Sequence, residues 1–117
     1  MSTVNKVKPG KFEKQTSEEF IIAADFSKNM DLTTEDLNLE KCVVSALKVD
    51  GKTNATDIVT DQSTIAKGIG VQKGWLKCLI KAGVEADQPY KITFYGETDT
   101  TPPEKWEKDV IMKIKEV

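Results

Sequence analysis

The chain has 117 residues, 38% hydrophobic and 31% charged, with a net charge of −2, enough for one domain with a core and without the composition shift that would mark a second. No apolar run approaches the roughly 20 residues of a membrane span, and the N-terminal MSTVNKVKPGKFEKQTS lacks the apolar core of a secretory signal, so synthesis and assembly in a cytoplasm are the expectation. Histidine and arginine are both absent. That excludes Ser-His-Asp and Cys-His catalysis, imidazole proton shuttles and His-ligated zinc, and argues against a dedicated nucleic-acid reader, which leans on arginine for bidentate recognition.

Residues 1–16 carry four lysines (Lys6, Lys8, Lys11 and Lys14) against Glu13, whereas the remainder carries 13 lysines against 18 acids. The first 16 residues therefore read as a flexible basic arm on a mildly acidic domain spanning 17–117. Lys6, Lys8 and Lys11 are its candidates for touching an acidic partner, against the plainer reading of a solvated tail.

In chain order, Glu18 to Phe26 places Phe20, Ile22, Ala24 and Phe26 on one parity, the period of a strand with one buried face. Ser27-Lys28-Asn29 then opens a turn. Residues 31–49 read two ways: Thr33 with Asp36 imitates a capping box, and Leu37, Lys41, Val44 and Lys48 fit a helix face. The β-branched Cys42-Val43-Val44 stretch favours a strand at about 39–48. Asp50-Gly51 signals a turn, and Asp57–Thr60 and Ser63–Ile69 read as short strands with a bend around Asp61-Gln62.

Gly68, Gly70 and Gly74 punctuate the approach to Trp75–Ala82, which again fits either a helix or a strand; the short interval between Gly74 and Gly83 favours the strand. After a turn at Gly83–Pro89 the pattern is clearest. Tyr90, Ile92 and Phe94 alternate with Lys91, Thr93 and Tyr95, and after a turn at Thr101-Pro102-Pro103-Glu104 the residues Trp106, Val110, Met112 and Ile114 share one parity. Glu107, Asp109, Lys113 and Lys115 take the other, with Ile111 as the exception. Two prolines stop any helix from running through, so a hairpin is predicted. The fold class is all-β, a single immunoglobulin-like (Ig-like) β-sandwich of about seven short antiparallel strands. Tyr90, after Asp87-Gln88-Pro89, sits where such sandwiches carry a tyrosine corner.

Candidate chemistry is sparse. Cys42 and Cys78 each lie in an apolar stretch on the core parity, either as a bridge between sheets or as two reduced thiols serving as small hydrophobes. Two cysteines are too few for a four-thiolate zinc site. GIGVQKG at 68–74 matches neither nucleotide-loop fingerprint and reads as a glycine-rich turn. Asn54-Ala55-Thr56 fits the glycosylation acceptor pattern, without the secretory signal that would give it meaning. Asp57, Asp61, Asp87 and Asp99 lack the ligand density of a calcium loop, and Glu97 with Asp99 or Glu104 with Glu107 match a glycosidase pair no better than chance. No catalytic residue, cofactor or metal is assigned. Trp75 and Tyr95 take the outward parity of their strands, where rings serve as binding hot spots.

The ordered elements Asp25-Phe26-Ser27, DQSTIAKG at 61–68, the strand after Gly74, and PYKITFYGETDT followed by KWEKDVIMKIKEV resemble small phage and prophage proteins with an Ig-like fold, of the fiber–tail adaptor or tail-associated type. The resemblance covers residues 18–117. Phe26 stands where such proteins commonly carry tryptophan, and Thr101-Pro102-Pro103 replaces a glycine-type turn. It implies a non-enzymatic virion structural protein that binds tail, fiber or connector proteins, with homo-oligomerisation as a further option. The virion, and the host cytoplasm during assembly, would be its location. The alternative is a carbohydrate- or surface-binding Ig-like module using Trp75 or Tyr95 as a stacking platform.

Overall fold

The structure, a computed structural model, describes residues 4–6, 10–14, 18–48, 53–81 and 89–114, of which 4–6, 10–14, Asp57 and Ile58 by backbone alone. The fold is all-β apart from single helical turns. Its body is six antiparallel strands: β3 (Phe20–Asp25), β4 (Val43–Lys48), β5 (Thr60–Lys67), β6 (Trp75–Ile80), β7 (Tyr90–Glu97) and β8 (Lys105–Ile114). They form two layers, ordered β3-β6-β5 and β8-β7-β4. Two short strands, β1 (Val4–Lys6) and β2 (Gly10–Lys14), from the segment read as a flexible arm, run parallel to β3 and β8 along the outer edges.

Alternation decides which face is buried. Val44 and Ala46 on β4, Leu76, Cys78 and Ile80 on β6, Tyr90, Ile92 and Phe94 on β7, and Val110, Met112 and Ile114 on β8 form one hydrophobic cluster shared by both sheets, as their parities predict. Each large aliphatic or aromatic side chain so buried contributes roughly 1.5–3 kcal/mol. The predicted hairpin pairs Tyr90 with Met112 through to Glu97 with Lys105.

Three expectations need correction. Residues 39–41 form a 3-10 turn, so β4 begins at Val43. The antiparallel strands number six among the described residues rather than seven. Asp57–Thr60 is not a strand, because Thr56–Val59 is a single helical turn with β5 starting at Thr60. The cause is local: the Asn54 side chain accepts from the Thr56 N–H (2.8 Å), and the Thr60 hydroxyl donates to the Thr56 carbonyl (2.8 Å). Those bonds outweigh the β propensity of Ile58, Val59 and Thr60. The bend expected at Asp61-Gln62 is a register shift between Asp61 and Ala66, where the Thr64 hydroxyl donates to the Asp61 carbonyl and accepts from the Leu79 N–H.

The outer edge of β4 is occupied. The Gln62 side chain accepts from the Val44 N–H and donates back to the Val44 carbonyl, copying a strand partner. The Thr56 hydroxyl does the same for Ala46 (3.1 and 3.5 Å), and the Lys48 N–H donates to the Thr53 carbonyl (2.9 Å). An edge filled in this way resists pairing with another chain. Gln62→Ala is expected to cost about 1–3 kcal/mol, the penalty for stranding buried backbone groups, and to raise light scattering on heating; an unchanged urea midpoint would contradict this.

Candidate functional site at the loop end

Three connections meet at one end of the sandwich: residues 26–42 between β3 and β4, 68–74 between β5 and β6, and 98–104 between β7 and β8. Phe26 is their anchor. Its backbone N–H donates to the Gly74 carbonyl (3.0 Å), and its fully buried ring stacks on Trp106 with centroids 6.2 Å apart. The Lys108 ammonium lies 5.4 Å from the ring centroid and donates to the Asp25 carbonyl. The Asp25 carboxylate accepts from the Ser27 N–H (2.8 Å), which sets the turn after β3.

The connections are bonded to one another. Asp99 donates its N–H to the Asp36 carbonyl (3.0 Å), and the Asp36 N–H donates to the Asp99 carboxylate (3.2 Å). Lys67 forms an ion pair with Asp36 (3.2 Å), and the Lys73 ammonium donates to the Leu32 carbonyl. Within 98–104, the buried Thr98 hydroxyl accepts from the Glu104 N–H (2.8 Å) and shares a bond with Thr100 (2.7 Å). Thr98→Val keeps the shape but strands that N–H, so a loss of about 1–3 kcal/mol is expected, read as a lowered denaturant midpoint, while Thr98→Ser should retain most of the stability.

On this braced end sits a feature the sequence reading missed. Ile69 is 81% exposed and Val71 100% exposed, on either side of Gly70 in the tip that joins β5 to β6. Two β-branched aliphatics inside a glycine-rich turn have no strand face to fill, and that was the available signal. Scattered single hydrophobics are ordinary on a surface, but two this exposed on either side of one glycine form a small apolar tip.

The predicted interaction residues do not gather. Trp75 lies on β6 and Tyr95 on β7, each on the parity opposite the core, so the rings occupy the outer faces of different sheets and form no common platform. Both are half-buried. The Tyr95 hydroxyl donates to the Glu97 carboxylate (2.8 Å), and that bond holds its pKa above the usual phenol value. Tyr90 is buried at the head of β7. Lys6 and Lys11 fall on β1 and β2; Lys8 and Asp87 lie outside the described residues, as do the turns expected at Asp50-Gly51 and across 83–88.

Cys42 and Cys78 are both free and buried. Burial is the main cause that raises both thiol pKa values. Both should therefore react slowly with a thiol reagent in the native protein and quickly in urea. Because the folded pKa is raised, the stability tied to these thiols is complete below the unfolded value of about 9.0 and falls as pH rises through the folded one. Asp31 and Asp61 behave oppositely. Bonds from Thr33 and Ser63 lower their pKa values below 3.8, so their contribution is present above that value and lost in acid. Among the described residues, no group of three or more His, Cys, Asp or Glu is gathered to hold a metal ion.

No family model and no curated protein matches the chain. Among solved structures, the solution structure of Amebosin aligns over 98% of this chain and 99% of its own, at 12% identity and a TM-score of 0.41. A likeness of that degree establishes neither fold family nor function here.

Proposed function

We propose that the chain is a non-enzymatic Ig-like domain of a phage or prophage particle, working as a tail, fiber-adaptor or head–tail component through protein–protein contacts. The phage assignment rests on the resemblance over residues 18–117. The observation that carries a binding role is the loop end, where three connections are tied together by hydrogen bonds and an ion pair beneath the exposed Ile69 and Val71. Pre-ordering of that kind lowers the entropic cost of association.

The Ig-like reading is supported by strand order. β3, β6 and β5 in one sheet and β8, β7 and β4 in the other follow the B-E-D and G-F-C arrangement of such sandwiches, with Tyr90 near the start of the penultimate strand. Strand addition along the β4 edge is disfavoured by the side chains that fill it, which favours contacts made by side chains over contacts made by strand pairing. Mass spectrometry of particles purified after prophage induction tests the assignment. The protein is expected at a stoichiometric ratio to known tail or connector proteins, and its absence from intact particles would overturn the reading.

A further inference from the structure

The molecule carries both a knob and a socket. The knob is the Ile69-Gly70-Val71 tip, its neck braced by Lys67 on Asp36 and Lys73 on the Leu32 carbonyl. The socket is an open surface cavity of about 370 Å³ between the 3-10 turn before β4 and the edge strand β5. It is lined by Leu39, Cys42 and Ile65 together with the polar Gln62 and the exposed Glu40.

From this pairing we propose that the chain self-associates head to tail, the Ile69–Val71 tip of one copy seated in the Leu39–Cys42–Ile65 cavity of the next. The match is chemical on two counts. The tip is aliphatic, and Leu39, Cys42 and Ile65 give the cavity an apolar side for it to cover. The charges also complement: Lys73, bonded to the Leu32 carbonyl and near the solvent-exposed Asp31, flanks the tip, and Glu40 lines the cavity.

A copy cannot fill its own socket, because β5 pairs with β6 at Ala66 and Lys67, between Ile65 and the tip. The two surfaces are different, so every contact leaves a free tip at one end and a free socket at the other, and association proceeds to a ring or an open filament rather than stopping at a symmetric dimer. A lipid bilayer is the other surface that takes exposed aliphatics. The proposal does not depend on the phage assignment.

Sedimentation velocity of the full chain, from low micromolar to millimolar concentration, tests it. Wild type is expected to grow in mass with concentration beyond a dimer. Val71→Asp, with an intact socket, and Ile65→Glu, with an intact tip, are each expected to stay monomeric, whereas their mixture forms a one-to-one dimer and stops. Glu40→Lys, at an exposed position that leaves the fold alone, should weaken association roughly tenfold, and it decides the matter if Ile65→Glu does not fold. A wild type that stays monomeric throughout overturns the proposal, as does association untouched by Val71→Asp or by Glu40→Lys. A mixture that remains monomeric although each variant is folded also overturns it, and so does tip-dependent binding to phosphatidylserine vesicles without self-association.

Discussion

Phe26→Ala is expected to lower the unfolding free energy by about 3–5 kcal/mol, the range for truncating a fully buried aromatic, and so to remove a large share of the roughly 5–15 kcal/mol that holds a domain of this size together. The ring does more than fill volume. It stacks on Trp106 and lies under the Lys108 ammonium, contacts worth about 0.5–1.5 kcal/mol beyond burial for a ring pair. It also occupies the space that a side chain on Gly96 would need: a Cβ there would sit 3.1 Å from the ring and 3.3 Å from Leu37. The hole left by alanine lies beneath the loop end, so the loss should be accompanied by faster amide exchange at 68–74 than at the centre of β7. Guanidinium denaturation gives the first quantity and hydrogen exchange the second. A loss below about 1 kcal/mol, little more than the removal of one methylene, would mean that Trp106 collapses into the space.

Gly74→Ala is the second large effect. Gly74 has φ +91°, a conformation that costs an L-residue about 1–3 kcal/mol, and its added Cβ would lie 2.9 Å from the Ser27 Cα and 3.1 Å from the Ser27 nitrogen. Backbone is on the other side of that contact, so relief requires the turn after β3 to move away from the β5–β6 connection. That motion pulls on the bond between the Phe26 N–H and the Gly74 carbonyl. Gly70→Ala is the control: φ is +60°, but nothing lies within 4 Å of the new Cβ, so only the backbone strain of about 1–2 kcal/mol is expected. The difference in denaturant midpoint between the two variants reads the steric cost together with the difference in backbone strain between φ +91° and φ +60°. Equal midpoints would mean that the close approach at Ser27 adds no cost beyond backbone strain.

These effects show why the strands were legible and the site was not. Alternation along β4, β6, β7 and β8 is a local property, because a pleated strand with one buried face needs apolar side chains at every second position. Parity alone therefore assigns Val44, Cys78, Phe94 and Met112 to the core. The sequence β5 draws on is less regular, since Thr64 and Gln62 spend their polar groups on backbone at a register shift and at the neighbouring sheet's edge. Neither use is visible without the partner strand. The helical turn at Thr56–Val59 is a different case: its bonds from Asn54 and Thr60 are local but compete with the β propensity of Ile58, Val59 and Thr60, and the Ala55 N–H on the Ala46 carbonyl (2.8 Å) adds a tie to another strand.

Outward parity for Trp75 and Tyr95 is matched in the structure, and only the sheet order shows that the two rings lie on different sheets. A Gly-rich turn at 68–74 was equally visible, but not the contacts of Lys67 and Lys73 that tie its two ends to the 26–42 connection.

By itself the sequence determined the strand class, the buried parity, the closing hairpin and, through the absence of histidine and arginine, the chemistry this chain forgoes. These depend on residue type and spacing along one strand. Tertiary structure alone decided which strands share a sheet, that the β4 edge is filled, and that three distant connections lock into one end bearing Ile69 and Val71. Each of those rests on hydrogen bonds and contacts between residues far apart in the chain, which no periodicity records.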